Sequence, residues 1–109
     1  MLEGLFGNVI IERILFSLFV YEEAYALGLA RLFDDSVNRF QQQLKRLENG
    51  GIVVSRLAGR TRLYTINPRY PFRQELMMLI AKAFEFVSEE EKEAYYRKRT
   101  RPRRAGKPL

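Results

Sequence analysis

The sequence predicts a mainly α-helical domain carrying one small β-hairpin, an α+β class. Apolar residues recur at helical spacing in three stretches before residue 50. Two β-rich runs then flank a glycine-bearing turn between 52 and 66, and helical spacing resumes from 72. A chain of 109 residues, 47 % apolar and with eight Phe and six Tyr, fits one compact domain and has little room for a second.

The first helix is expected over 8–19, where Val9, Ile10, Ile11, Ile14, Leu15, Leu18 and Phe19 form a wide apolar stripe. Asn8, following Gly7, suits the N-cap, with Leu5 and Phe6 packed over the start. A second helix spans 24–33, with Leu27, Ala30 and Phe33 in register; Gly28 weakens it by up to about 1 kcal/mol relative to Ala. Asp34 and Asp35 break it, because Asp tolerates the left-handed conformation of a tight turn, and Ser36 suits the N-cap of the next helix. The third helix, 37–49, turns Val37, Phe40, Leu44 and Leu47 inward and ends at Gly50-Gly51.

Strands at 52–57 and 61–66 form a hairpin around Ala58-Gly59-Arg60. The run from Asn67 through Pro68 to Pro71 stops the second strand, and Pro71 suits the first turn of a helix over 72–87. Apolar residues of that helix (Leu76, Met77, Leu79, Ile80, Ala83, Phe84, Phe86 and Val87) cover more than one stripe. Ser88 and Glu91 make a capping box for a charged helix over 88–98. The expected organisation is therefore a domain at 1–87 that includes a dimerisation helix at 72–87, a charged helix at 88–98, and a basic flexible tail at 99–109.

The chain has no cysteine and no histidine. Thiolate metal sites, thiol catalysis and the commonest general base are thereby excluded, and no cofactor is expected. Glu89, Glu90, Glu91 and Glu93 would spread around a helix axis and suit the positive end of its dipole better than a metal. This is a poor toolkit for an enzyme. No stretch approaches the roughly 20 apolar residues of a membrane span. Its most hydrophobic part, from Val9 to Tyr21, is interrupted by Glu12 and Arg13. The N-terminal residues lack a signal-peptide pattern. A cytoplasmic, nucleoid-associated location is expected.

Net charge is +6. Seven of the 19 basic residues (Arg97, Lys98, Arg99, Arg101, Arg103, Arg104 and Lys107) fall in 97–109, leaving 12 against 13 acidic residues elsewhere. The excess thus sits in an arm fit to attract a polyanion, with Arg99, Arg101, Arg103 and Arg104 as phosphate contacts. A merely solubilising tail is the other reading of the same charge.

The outward side of the third helix carries the function. Ser36, Asn38, Arg39, Gln41, Gln42, Lys45 and Arg46 lie there, with no acid until Glu48. Asn and Gln pair bidentately with adenine and Arg with guanine in the major groove, while Lys more often meets phosphate. A short helix, a tight turn and a polar-faced second helix make a helix-turn-helix pattern. Arg56, Arg60 and Arg62 on the adjoining hairpin can lie along the adjacent backbone, since 50–67 contains no acid.

Phe33-Asp34-Asp35-Ser36 together with Gln41-Gln42-Gln43-Leu44-Lys45-Arg46-Leu47-Glu48-Asn49-Gly50-Gly51-Ile52-Val53 resembles the recognition-helix region of ArsR-like winged helix-turn-helix regulators. The run from Gly59-Arg60-Thr61-Arg62 to Asn67-Pro68-Arg69-Tyr70-Pro71 is similar to the second wing strand and exit of small bacterial members. The resemblance covers about residues 5–87. It implies a winged-helix protein with a three-helix core, a wing and C-terminal dimerisation helices. Its function would be that of a dimeric, sequence-specific double-stranded DNA-binding repressor. Recognition would fall to Asn38, Arg39, Gln41, Gln42 and Lys45, and wing contacts to Arg56, Arg60 and Arg62. Two departures stand out: Asp34 and Asp35 replace the usual glycine and apolar residue of the turn, and the Cys or His ligands of metal-sensing members are missing.

The apolar girth of the helix at 72–87 calls for a partner helix. A homodimer through the first helix and this one is expected, with Ile10, Ile14, Met77, Ile80, Phe84 and Val87 at its interface. The alternatives are a protein-docking module and a nucleic-acid-packing protein driven by the tail.

Overall fold

The computed structural model describes residues 1–97. Expectations for the tail, including Arg99, Arg101, Arg103 and Arg104, and for the last residue of the charged helix lie outside the described residues. The elements run α1 (Glu3–Phe6), α2 (Val9–Tyr21), α3 (Ala26–Phe33), α4 (Val37–Asn49), β1 (Val53–Ala58), β2 (Thr61–Ile66), α5 (Arg73–Phe84) and α6 (Glu89–Tyr95). The fold is mainly helical with a two-stranded antiparallel hairpin, the predicted α+β class.

Capping explains the first boundaries. The Asn8 side chain accepts a 2.9 Å bond from the Ile11 N–H, as its sequence position requires. One short helix, α1, has no counterpart among the expected elements; it seats Phe6 at the core edge, whereas Leu5 points to solvent instead of packing. The second expected helix, α3, begins two residues late because Ala24 forms a bridge with Tyr64 of β2. The Ala24 N–H donates to Tyr64 O at 3.1 Å and the Tyr64 N–H to Ala24 O at 2.8 Å. The segment between α2 and α3 thus becomes a one-residue third strand.

The hairpin pairs Val53 with Ile66 at its base and Ala58 with Thr61 at its end, leaving a two-residue turn at Gly59-Arg60. Gly59 supplies the positive φ of 66° that this tight connection needs. At the base, the Asn67 side chain donates to Gly51 O at 2.8 Å and its N–H to Ile52 O at 2.9 Å, closing the hairpin onto the end of α4.

The core joins Ile10, Ile14 and Phe16 of α2, Phe40 and Leu44 of α4, Val53 of β1 and Ile80 of α5. Three predicted placements are revised. Val37, on the first turn of α4, is exposed at the rim, and Leu27 also faces solvent. Ile10, Ile14, Ile80 and Val87, expected at a dimer interface, are buried inside this one chain, because α5 packs against α2 and all four join the same core. Met77 and Phe84 are half-buried, and the Phe84 ring meets Phe16 edge-on at 5.6 Å. What α5 and its flanks leave exposed is a different set: Phe72, Met78, Leu79 and Phe86.

The end of the described chain is docked. Tyr96 is 6 % exposed, its ring 5.6 Å from Phe16 and Phe84 and 5.8 Å from Phe33. The Tyr21 hydroxyl donates to the Tyr95 carbonyl beside it. A buried oddity is Ser17, fully enclosed with its hydroxyl unpartnered. Ser17→Ala is expected to leave stability unchanged or raise it by up to about 1 kcal/mol, since the serine brings an unrewarded desolvation. A urea midpoint lower than that of the parent protein would contradict this. Among the described residues, no helix is long and apolar enough to cross a membrane.

Candidate nucleic-acid interface

The presentation of α4 starts in the turn before it. Asp34 takes the left-handed conformation, φ 52° and ψ 54°, and its N–H bonds back to the end of α3. That is the geometry a helix-ending glycine usually provides, and Asp is among the few L residues that reach it at modest strain. Asp35 then organises the turn. Its carboxylate accepts a 2.6 Å bond from the Ser36 N–H, 2.9–3.0 Å bonds from Arg39, and a 3.4 Å bond from Arg13. The Ser36 N–H, reinforced by Arg39, holds the Asp35 carboxyl below its ordinary range. Ser36 occupies the N-cap as expected, but its hydroxyl makes no capping bond.

Beyond the turn, Phe40, Leu44 and Leu47 anchor α4 to the core, and Gln43 accepts a 3.2 Å bond from Asn8 across to α2. With these inward, Ser36, Asn38, Arg39, Gln41, Gln42, Lys45 and Arg46 are all exposed. At 100° per residue, Asn38, Gln42, Lys45 and Asn49 form the central stripe of that face. Gln41 flanks it on one side, Arg39 and Arg46 on the other. Arg39 is held by Asp35 and stands partly neutralised at the edge. Among the described residues, Lys45, Arg46 and Arg60 make no ion pair.

The hairpin arginines divide. Arg60 occupies the turn and is exposed. Arg56 pairs with Glu23 at 3.3 Å, and Arg62 donates at 2.9 Å to Ser55, whose hydroxyl donates at 2.7 Å to Glu48. Both carboxylates come from outside 50–67, so the acid-free character of that stretch in sequence does not survive folding. Burial, with Glu48 nearby, raises the Tyr64 phenol above its ordinary value. The contacts of Glu23, Glu48, Ser55 and Ala24 escape a sequence reading: Glu23 and Ala24 meet the hairpin from across the chain, and Glu48 and Ser55 meet only once the hairpin folds against the end of α4.

The site is a convex, solvent-facing surface of amides and cations along α4, next to a hairpin with a cationic tip. Such a surface can donate and accept hydrogen bonds in pairs and neutralise anions. It offers no nucleophile activated by a base, and among the described residues no group of three or more carboxylates is arranged to hold a metal. No model of a known protein family matches the chain, and no curated protein sequence matches it.

Proposed function

We propose that the protein is a winged helix-turn-helix, sequence-specific regulator of transcription that binds double-stranded DNA as a homodimer. In this reading α4 enters the major groove, and the hairpin runs along the neighbouring backbone or minor groove. The observation that carries it is the exposure of the whole outer face of α4, with Asn38, Gln42 and Lys45 along its centre and Arg46 at its flank. Asn and Gln there read base edges, Lys and Arg hold phosphate or guanine, and Arg60 reaches out from the wing. The ArsR-like resemblance of 33–53 and 59–71 agrees with this arrangement of elements.

The second copy would sit on α5. Phe72, Met78, Leu79 and Phe86, on α5 and at its two ends, are 63, 64, 37 and 70 % exposed, more large apolar side chain than one short segment usually leaves to water. Glu75 and Lys82 lie at equal distances on either side of the midpoint between Met78 and Leu79. An antiparallel two-fold pairing about that midpoint sets each glutamate against the partner's lysine.

Selection of bound duplexes from a random pool tests the reading. An enriched site with two-fold symmetry is expected. The Asn38→Ala, Gln42→Ala double variant should lose discrimination by about 10–100-fold or more while keeping weak, salt-sensitive binding. A pool with no enriched sequence would remove sequence-specific regulation and favour packing of nucleic acid. An enriched site without symmetry would remove the dimer.

A further inference from the structure

A cleft of about 310 Å³ opens where α1, α2, the end of α4, the base of the hairpin and α5 meet. Its walls are Leu5 and Phe6, Ile11 and Leu15, Leu47 and Gly50, Ile52 and Leu76, and its single polar side chain is Arg46. Two features set it apart from an ordinary packing defect. Its volume is about ten times that of a water molecule in the liquid, at the lower end of small-ligand sites, yet apart from that arginine its lining side chains are apolar. The one charged group at its wall makes no ion pair among the described residues. An apolar recess beside an uncommitted guanidinium suits a molecule with a hydrocarbon body and an anionic head. A cation would be repelled there, and a neutral hydrocarbon would leave the guanidinium unused.

We propose that this cleft is a binding site for a small apolar carboxylic acid, its carboxylate paired with Arg46 and its hydrocarbon part between Leu15, Ile52 and Leu76. Resting on the DNA-binding reading of α4, the site also regulates it. Arg46 lies on the flank of the face assigned to DNA, and a guanidinium engaged by a carboxylate is withdrawn from phosphate. Ligand and DNA then oppose each other, each weakening the other by the same factor. Leu47 of the recognition helix and Leu76 of α5 both line the wall, so a ligand filling the cleft touches both elements at once.

Octanoate, of about ten non-hydrogen atoms, is the probe, with 1-octanol and octylamine as its neutral and cationic counterparts, all used below self-association. Titration of the full chain, monitored by methyl NMR, is expected to move the Leu5, Leu15, Ile52 and Leu76 signals. Octanoate should bind at least about tenfold more tightly than octanol, the range of a charge-assisted hydrogen bond. Arg46→Gln should erase that preference and leave octanol binding unchanged. Leu5→Glu, a change at an exposed wall position, should weaken octanoate specifically. Equal binding of acid and alcohol, or no response of the wall methyls, overturns the site. With DNA from the enriched pool, octanoate should raise the Kd of the parent protein and not of Arg46→Gln; an unchanged parent Kd overturns the regulation. Because ligand binding is measured without DNA, failure of the cleft and failure of the DNA-binding reading give separate results.

Discussion

Phe40→Ala is expected to lower the unfolding free energy by about 3–5 kcal/mol, the usual range for deleting a buried ring and leaving its cavity. Phe40 is fully enclosed, stacked on Phe33 at 5.9 Å, and is the first of three residues that hold α4 against the rest of the chain. A domain of this size has about 5–15 kcal/mol of stability in total, so the variant should unfold at a much lower denaturant concentration. The same loss should reach function through the fold. The exposed amides of α4 keep their chemistry but not their placement, so the proposed DNA binding should fall off steeply on warming, whereas Asn38→Ala should bind poorly at every temperature with an unchanged melting curve. Phe40→Leu, which keeps most of the volume, should recover most of the stability. A Phe40→Ala midpoint within experimental error of the parent protein would mean that α4 is not seated through this residue.

Tyr96→Ala is expected to cost about 3 kcal/mol or more, though the residue lies at the end of the described chain. Its ring closes a cluster with Phe16, Phe33 and Phe84, in which tilted and edge-on pairs add about 0.5–1.5 kcal/mol each beyond buried area. Tyr96→Phe keeps the ring and should stay within about 1 kcal/mol of the parent at neutral pH. The two proteins should part company in alkali. Burial raises the Tyr96 phenol above the ordinary value of 10.0, because ionising it would place a charge among aromatic rings. A group whose pKa is raised by folding contributes stability that is complete below its unfolded value and is lost as pH climbs towards the folded one. The parent should therefore lose stability progressively above about pH 10, and Tyr96→Phe should lose less. Parallel alkaline unfolding curves for the two proteins would place the tyrosine outside the core.

Helix α4 was legible to the residue, because its stripe of Phe40, Leu44 and Leu47, its Asp-Asp-Ser entry and its Gly-Gly exit all say the same thing. The hairpin was legible too, within one residue, since Gly59 sits between two β-rich runs. Harder to read was anything created by two distant segments. Ala24 favours helix by intrinsic propensity, and only the open edge of β2 draws it into a bridge. The apolar excess of α5 was visible, but which residues it buries was not. Ile80 turns inward and Met78 outward because α2 chooses the phase of the helix, and past its end Val87 is buried while Phe86 is exposed. At the candidate interface, the sequence identified the exposed face correctly and overstated the freedom of its arginines. Arg39, Arg56 and Arg62 each find an acceptor on the protein itself: a carboxylate for the first two and the Ser55 hydroxyl, backed by Glu48, for the third. The Asp35–Arg39 pair has a local signature in its four-residue spacing, whereas the acceptors of Arg56 and Arg62 appear only once the hairpin is folded.

The Ala24–Tyr64 bridge makes the hairpin an outrigger bolted to the hull and not a streamer. With its base clasped at Asn67 and its flank fastened beside α3, the arm has no hinge of its own between Tyr64 and Arg60. Four strand residues span roughly 13 Å, so a tilt of α3 by about 10° would carry the tip sideways by about 2 Å. That distance is enough to make or break a hydrogen bond at its end. The reach of Arg60 is therefore steered through that bridge, by whatever sets the attitude of α3.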